Sequence, residues 1–214
     1  MAPGANLSAS VPEAKEALVA RMTPVTHRPP GGTPRPATGS WWIDPARSRA
    51  SFTARIAGRP VRGCLPLTGQ VVITEPIERS SALLAASAPK VSTGSSALDR
   101  LLAGPTFLDA AAFPEITFRS ELLAWVPAGW RAVGRLQVKG AQHELACQLG
   151  LHHDATPPQG PPRFWIVSSW VIDSSWVTRQ WIPGLSRRIP MTCSFLLDRK
   201  VGAARGSVIQ IASR

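Results

Sequence analysis

The chain has 214 residues, 44% of them hydrophobic, with 21 prolines, 17 glycines and a formal net charge of +11. That length and hydrophobic share allow a sizeable core, while the density of Pro and Gly excludes a mainly helical protein, since both residues punctuate chains that turn often. No run of 18 apolar residues offers a membrane-spanning helix.

The positive charge would favour nucleic acid or a membrane surface if it were concentrated. Its 20 arginines and 4 lysines are scattered instead, with Arg187-Arg188 the one tight pair in the expected domain. A nucleic-acid partner is therefore not expected. The three cysteines, Cys64, Cys147 and Cys193, are odd in number and match no metal spacing. Each lies in an apolar context and reads as a small buried hydrophobe.

Residues 1–39 read as a disordered, Pro-rich tail, with a short helix-compatible stretch from Pro12 to Met22. The longest apolar run in it, Ala17-Leu18-Val19-Ala20, is too short for a secretory signal, which points to the cytoplasm. From Trp41 the pattern turns to period two. In Ser48–Ile56, residues Ala50, Phe52, Ala54 and Ile56 share one face and Arg49, Ser51, Thr53 and Arg55 the other. Further strands are expected at Val61–Ile73, with Gly63, Pro66 and Gly69 marking a bend or break, and at Leu83–Val91 and Ile116–Val126. Trp130–Val138 and His143–Leu151 read as a hairpin about Lys139-Gly140-Ala141. His152–Pro162 reads as a loop, and Phe164–Ile172 and Met191–Leu197 as the last strands, before a C-terminal extension at 201–214.

Between the third and fourth strands, Ser96-x-x-Asp99 resembles a helix-capping box. Leu98, Leu101 and Leu102 follow at helical spacing, Gly104-Pro105 stops the helix, and Thr106–Phe113 offers a second turn. The expected fold is all-β: an eight-stranded antiparallel barrel over 40–200 with a short helical insert at one mouth. Eight strands close around one small ligand, and closure leaves no edge to aggregate.

Several segments resemble the YceI-like family of lipocalin-like, polyisoprenoid-binding proteins. They are Trp42-Ile43-Asp44-Pro45-Ala46-Arg47-Ser48, Val61-Arg62-Gly63, Phe113-Pro114-Glu115-Ile116-Thr117-Phe118-Arg119-Ser120 and Gly134-Arg135-Leu136-Gln137-Val138-Lys139-Gly140. The resemblance implies a barrel with a long apolar tunnel, an isoprenoid or related ligand and, as often in the family, a homodimer. Where the family has His at the end of the first strand, this chain has Ile56. Where it has Arg before Asp99 and His two residues after, this chain has Leu98 and Leu101. Asp173 and Ser174 precede Trp176 where the family has Arg, or in another register Arg179 precedes Trp181. Such losses imply a ligand with a less polar end.

No nucleophile, base and acid stand at a recognisable spacing. His152-His153-Asp154 is the one dense ionisable cluster, but adjacent strand residues face opposite ways and no third metal ligand is evident. Neither catalysis, a metal nor a cofactor is expected. The candidate ligand-binding residues are Phe52, Ala54, Ile56, Leu98, Leu101, Phe107, Phe118, Trp165, Trp170 and Trp176. Trp165 and Trp170 are five apart, so only one of them faces the lumen. Three readings compete: a carrier of a long apolar molecule, a filled-core structural or stress-related protein, and a basic nucleic-acid-binding barrel. Pocket volume separates the first two, and salt dependence the third.

Overall fold

The computed structural model describes residues 36–126, 129–154, 163–178 and 180–199. The expected helix at 12–22, most of the tail, the segment 155–162 and the C-terminal extension lie outside these residues. Among the described residues nine strands are present: β1 (Gly39–Ile43), β2 (Arg49–Ile56), β3 (Arg59–Ile73), β4 (Ser81–Ser87), β5 (Glu115–Val126), β6 (Gly129–Val138), β7 (Ala141–Asp154), β8 (Arg163–Asp173) and β9 (Arg188–Asp198). The one α-helix among the described residues, α1 (Ser96–Ala103), sits between β4 and β5.

All paired strands are antiparallel, and a β3–β4 ladder closes the sheet on itself. Nine strands fill eight positions because β1 and β2 run one after the other along the same slot. β1 pairs with Gln70–Ile73 of β3 and with Leu197 and Asp198 of β9. β2 pairs with the lower part of β3, up to Pro66, and with Met191–Ser194 of β9. The result is a closed eight-position barrel, as the period-two pattern predicts. Its upper end carries the start of β1 and the β3–β4 link. Its lower end carries the β2–β3 and β6–β7 turns, the helical insert and the segment between β8 and β9.

The corner between β1 and β2 is tied down by hydrogen bonds. Asp44 N–H donates to the Leu196 carbonyl at 3.0 Å. Leu196 N–H donates to Ser48 Oγ at 3.0 Å, and Leu67 N–H to the Ser48 carbonyl at 3.1 Å. This corner covers the outer face of β9, so Leu196 is 0% exposed although it points away from the lumen. Satisfying these donors matters because a buried unpaired one costs about 1–3 kcal/mol.

Several expected boundaries move, each for a local reason. β3 runs unbroken through Pro66. Cys64 N–H bonds Ser92 O, while β4 pairs with β3 only from Leu67 upward, so the absent Pro66 N–H falls where the neighbouring chain leaves the sheet. β4 ends at Ser87 rather than Val91, because Ala88–Lys90, containing Pro89, forms a 3₁₀ turn. The β6–β7 turn needs only Lys139 and Gly140, both at positive φ (48° and 76°), as a two-residue type I′ hairpin requires. Ser95, not Ser96, caps α1, and its side chain makes no capping bond. Asp99 instead reaches back to Thr93, accepting from its N–H at 2.7 Å and its hydroxyl at 2.6 Å. The second helical turn does not form: Asp109 N–H bonds Gly104 O and Phe113 N–H bonds Asp109 O, making irregular turns. His152, His153 and Asp154 belong to β7, not to a loop.

Candidate functional site

Alternation in the strands sends apolar side chains inward around the barrel. On β8, Phe164, Ile166, Ser168 and Ile172 are buried and Val167, Ser169 and Val171 exposed. The inward side chains do not fill the interior. An upper chamber encloses about 130 Å³ of free space, where one water needs roughly 10–15 Å³ counted the same way. Its wall includes Ala50, Leu67, Val71, Phe118, Leu123, Trp130, Ala132, Leu136, Cys147, Ser168, Trp170 and Phe195. Small residues at Ala50, Ala82, Ala86 and Ala132 account for much of the space, since a larger side chain at any of them would enter it.

A lower chamber of about 80 Å³ lies against the helical insert. It is walled by Phe52, Ala54, Ile56 and Val61 from β2 and β3, by Leu102, Phe107 and Leu108 from the insert, by Leu185 from the segment before β9 and by Ile189 of β9 itself. The two chambers meet at a waist of Leu65, Ile116, Ile172, Val177 and Met191, which line both. Gly63 makes room for Phe52 there: a Cβ at this position would lie 2.4 Å from the Phe52 ring.

Of the ten candidate residues, six stand on these walls: Phe52, Ala54, Ile56 and Phe107 in the lower chamber, Phe118 and Trp170 in the upper. Four do not. Leu101 is 48% exposed, because α1 turns the face bearing Leu102 inward and Leu101, about 100° round the helix, points out. Leu98 is half-buried and reaches neither chamber. Trp165 lies on the outer face of β8, opposite Leu196, with the Arg47 guanidinium 5.3 Å above its ring. Trp176 follows β8 in a 3₁₀ turn and stacks on His143, with ring centres 4.2 Å apart and planes at 11°.

The waist residues Met191 and Val177, and Leu185 below them, were not candidates. Val177 and Leu185 lie in an irregular segment where no periodicity marks an inward face. Met191 stands on β9, whose alternation from Ile189 to Leu197 does carry the signal.

Polar atoms on the walls are few. Ser168 is 3% exposed, and its hydroxyl makes no full hydrogen bond, with the Cys147 thiol beside it as a weak neighbour. Trp170 Nε1 is buried and has no hydrogen-bond acceptor. Cys193 also lines the upper chamber, and burial pushes its thiol up to about 12; burial raises Cys147 too. At the lower rim, His143 stands opposite Leu136 on the ladder, and burial lowers its pKa below 6.5. Among the described residues no Lys, Arg, Asp or Glu lines either chamber, and no group of three His, Cys, Asp or Glu could hold a metal. No helix among them is long and apolar enough to cross a membrane.

Such an arrangement can enclose an apolar molecule. Comparison with known proteins agrees with this architecture. The crystal structure of Burkholderia cenocepacia BcnA is similar over 72% of this chain and 98% of its own, with a TM-score of 0.62 and 19% identity. A polyisoprenoid binding domain from Saccharophagus degradans, implicated in plant cell wall breakdown, is similar over 76% of this chain and 99% of its own, with a TM-score of 0.54 and 12% identity. At these identities the likeness is one of fold. No curated protein sequence matches the chain. The model of the YceI-like domain matches residues 41–175, well over half of the sequence, and the chain belongs to the YceI-like family.

Proposed function

We propose that this protein binds a long apolar molecule, an isoprenoid or related lipid, inside the barrel and carries or sequesters it without chemical change. The observation that carries the reading is the unfilled, apolar upper chamber, which shares a waist of side chains with a second one. Each CH₂ group moved from water into such a space contributes roughly 0.8 kcal/mol, so a chain of several isoprene units binds tightly without polar contacts. A filled-core structural role fits the free space poorly. The ligand of the Saccharophagus degradans domain, as that protein is described, is of the proposed class. Three unpaired cysteines suit a reducing compartment such as the cytoplasm.

Without a cation on either wall, a pyrophosphate head group would be buried unpaired, which is costly. The ligand is therefore an alcohol, ketone or hydrocarbon before it is a pyrophosphate. Native mass spectrometry of the gently purified protein, with an organic extract analysed alongside, tests the reading. A one-to-one adduct that partitions into the organic phase is expected. A clean apo mass that persists after incubation with isoprenoid alcohols would overturn it.

A further inference from the structure

Arginines that are scattered along the chain are gathered by the fold. The segments 45–74 and 174–197 contain no Asp or Glu. Strand pairing sets them side by side, because β2 lies between β3 and the first half of β9. The lower part of this face carries Arg55, Arg59, Arg62, Arg187 and Arg188, all exposed. The acid that borders it, Asp173, stands opposite Arg188 at the end of β8. Its carboxylate already accepts from Arg187 Nε at 3.0 Å and from the Ser175 N–H at 2.9 Å.

At the tip of the same face stands Trp181, 85% exposed. Its segment is anchored on both sides. Ile182 packs against the core, and Leu185 lines the lower chamber. The Ser186 N–H donates to the Arg55 carbonyl at 2.8 Å, and the Arg55 N–H donates to Ser186 Oγ at 3.0 Å. Gly184 lies so close on the β2–β3 turn that a Cβ there would stand 2.6 Å from Ala57 Cα. The fold thus holds this segment down and leaves the indole outside. Leu101, 48% exposed on α1, projects at the same end of the barrel.

An indole beside cations suits an anionic lipid surface. The ring settles between head groups and acyl chains, and each Lys or Arg near such a surface strengthens binding about fivefold. A single-stranded nucleic acid would need aromatics spaced along a basic groove. Here the exposed apolar residues cap one end of the barrel instead.

We infer that the lower end of the barrel, through Trp181 and the acid-free arginine face of β9, β2 and β3, docks on an anionic membrane surface. The closure of the lower chamber then faces the acyl chains, where a long apolar molecule is taken up or released. That exchange rests on the lumen being the ligand site, as proposed above; the docking does not.

Co-sedimentation of the full chain with vesicles, with no ligand added, tests the docking. Vesicles of phosphatidylcholine mixed with phosphatidylserine should bind about tenfold or more tightly than phosphatidylcholine alone, and added salt should erase the difference. Trp181→Ala should weaken binding about tenfold through lost apolar contact. Arg59→Gln with Arg188→Gln should weaken it about fivefold for each charge removed. All three side chains are exposed, so the melting temperature and the uptake of a fluorescent apolar probe should not change, which separates lost docking from lost folding. No binding to either vesicle, equal binding to both, or binding that survives both variants would overturn the inference. Retention on a single-stranded oligonucleotide without vesicle binding would overturn it in favour of nucleic acid. None of these failures touches the carrier reading, which stands or falls on the bound mass.

Discussion

The two chambers are built differently. The upper one is almost wholly the work of strands: β2 to β9 supply its wall through their inward-facing residues, and the ladder fixes the spacing. The lower one is a strand wall on one side, closed by the insert through Leu102, Phe107 and Leu108 and by Leu185 from the segment before β9. A strand-built cavity is as rigid as the barrel. A cavity closed by short turns depends on a few side chains packed from outside it. The upper chamber is thus suited to hold a ligand and the lower one to adjust to its end.

Filling each chamber separately puts this contrast under the most strain. Ala132→Trp would place an indole in the upper chamber, where Ala132 is 3% exposed. It displaces the volume of several CH₂ groups at about 0.8 kcal/mol each, so affinity for every apolar ligand should fall on the order of a thousandfold. Ala54→Trp in the lower chamber should weaken only ligands long enough to pass the waist. Equal losses from both, in a titration of graded chain lengths, would erase the distinction.

The next effect concerns how the lower chamber is closed. Phe107 is 5% exposed, and Phe107→Ala should cost about 3–5 kcal/mol of unfolding free energy in urea. Leu101→Ala, on the outward face of the same insert, should stay within about 0.5 kcal/mol. Comparable losses would mean that α1 packs through its other face.

A smaller signal comes from the thiols. Cys147 and Cys193 line the upper chamber with raised pKa values, whereas Cys64 is half-buried on β3. With a pKa near 12, Cys193 is thiolate in only about one molecule in ten thousand at about pH 8. Mass-resolved alkylation of the native protein should therefore modify Cys64 first, and all three thiols only after unfolding. Rapid labelling of Cys147 or Cys193 would show that the upper chamber opens readily.

The smallest effect belongs to the lower rim. Burial holds the His143 pKa below its usual 6.5, so the unfolded chain takes up the proton first as pH falls. The contribution of neutral His143 is complete above pH 6.5 and is lost on acidification through the lowered value. Between about pH 7.5 and about pH 5.5 the melting temperature should fall by on the order of a degree, and His143→Gln should flatten that slope. An unchanged slope in the variant would assign it to other groups.

The same contrast explains how far the sequence could be read. Strand alternation made β2, β5, β6 and β8 plain, and with them Phe52, Ala54, Ile56, Phe118 and Trp170 on the inner wall. Parity alone separates Trp165 from Trp170, but it does not say which is inside. The outer placement of Trp165 follows from Arg47 and the β1–β2 corner, a contact between segments more than a hundred residues apart. The insert was legible as a helix, yet Leu98, Leu101 and Leu102 occupy an arc whose orientation depends on tertiary packing, and only Leu102 turns inward. Of the positions where the family's polar residue is replaced, Ile56 reaches a chamber, while Asp173 accepts a hydrogen bond from Arg187 on the outside at 3.0 Å.

The waist has one flexible member. Leu65, Ile116, Ile172 and Val177 are branched, with few rotamers to choose from, whereas Met191 is unbranched and turns about three bonds. Occupancy of the barrel should consequently vary with ligand length in steps instead of smoothly. A short chain is satisfied by the upper chamber and leaves the thioether where it lies. One that is a unit too long gains nothing until it displaces that side chain, and then gains the whole second chamber at once. A series of homologous ligands should plot as two plateaus, and replacing Met191 by a stiffer Ile should separate them further.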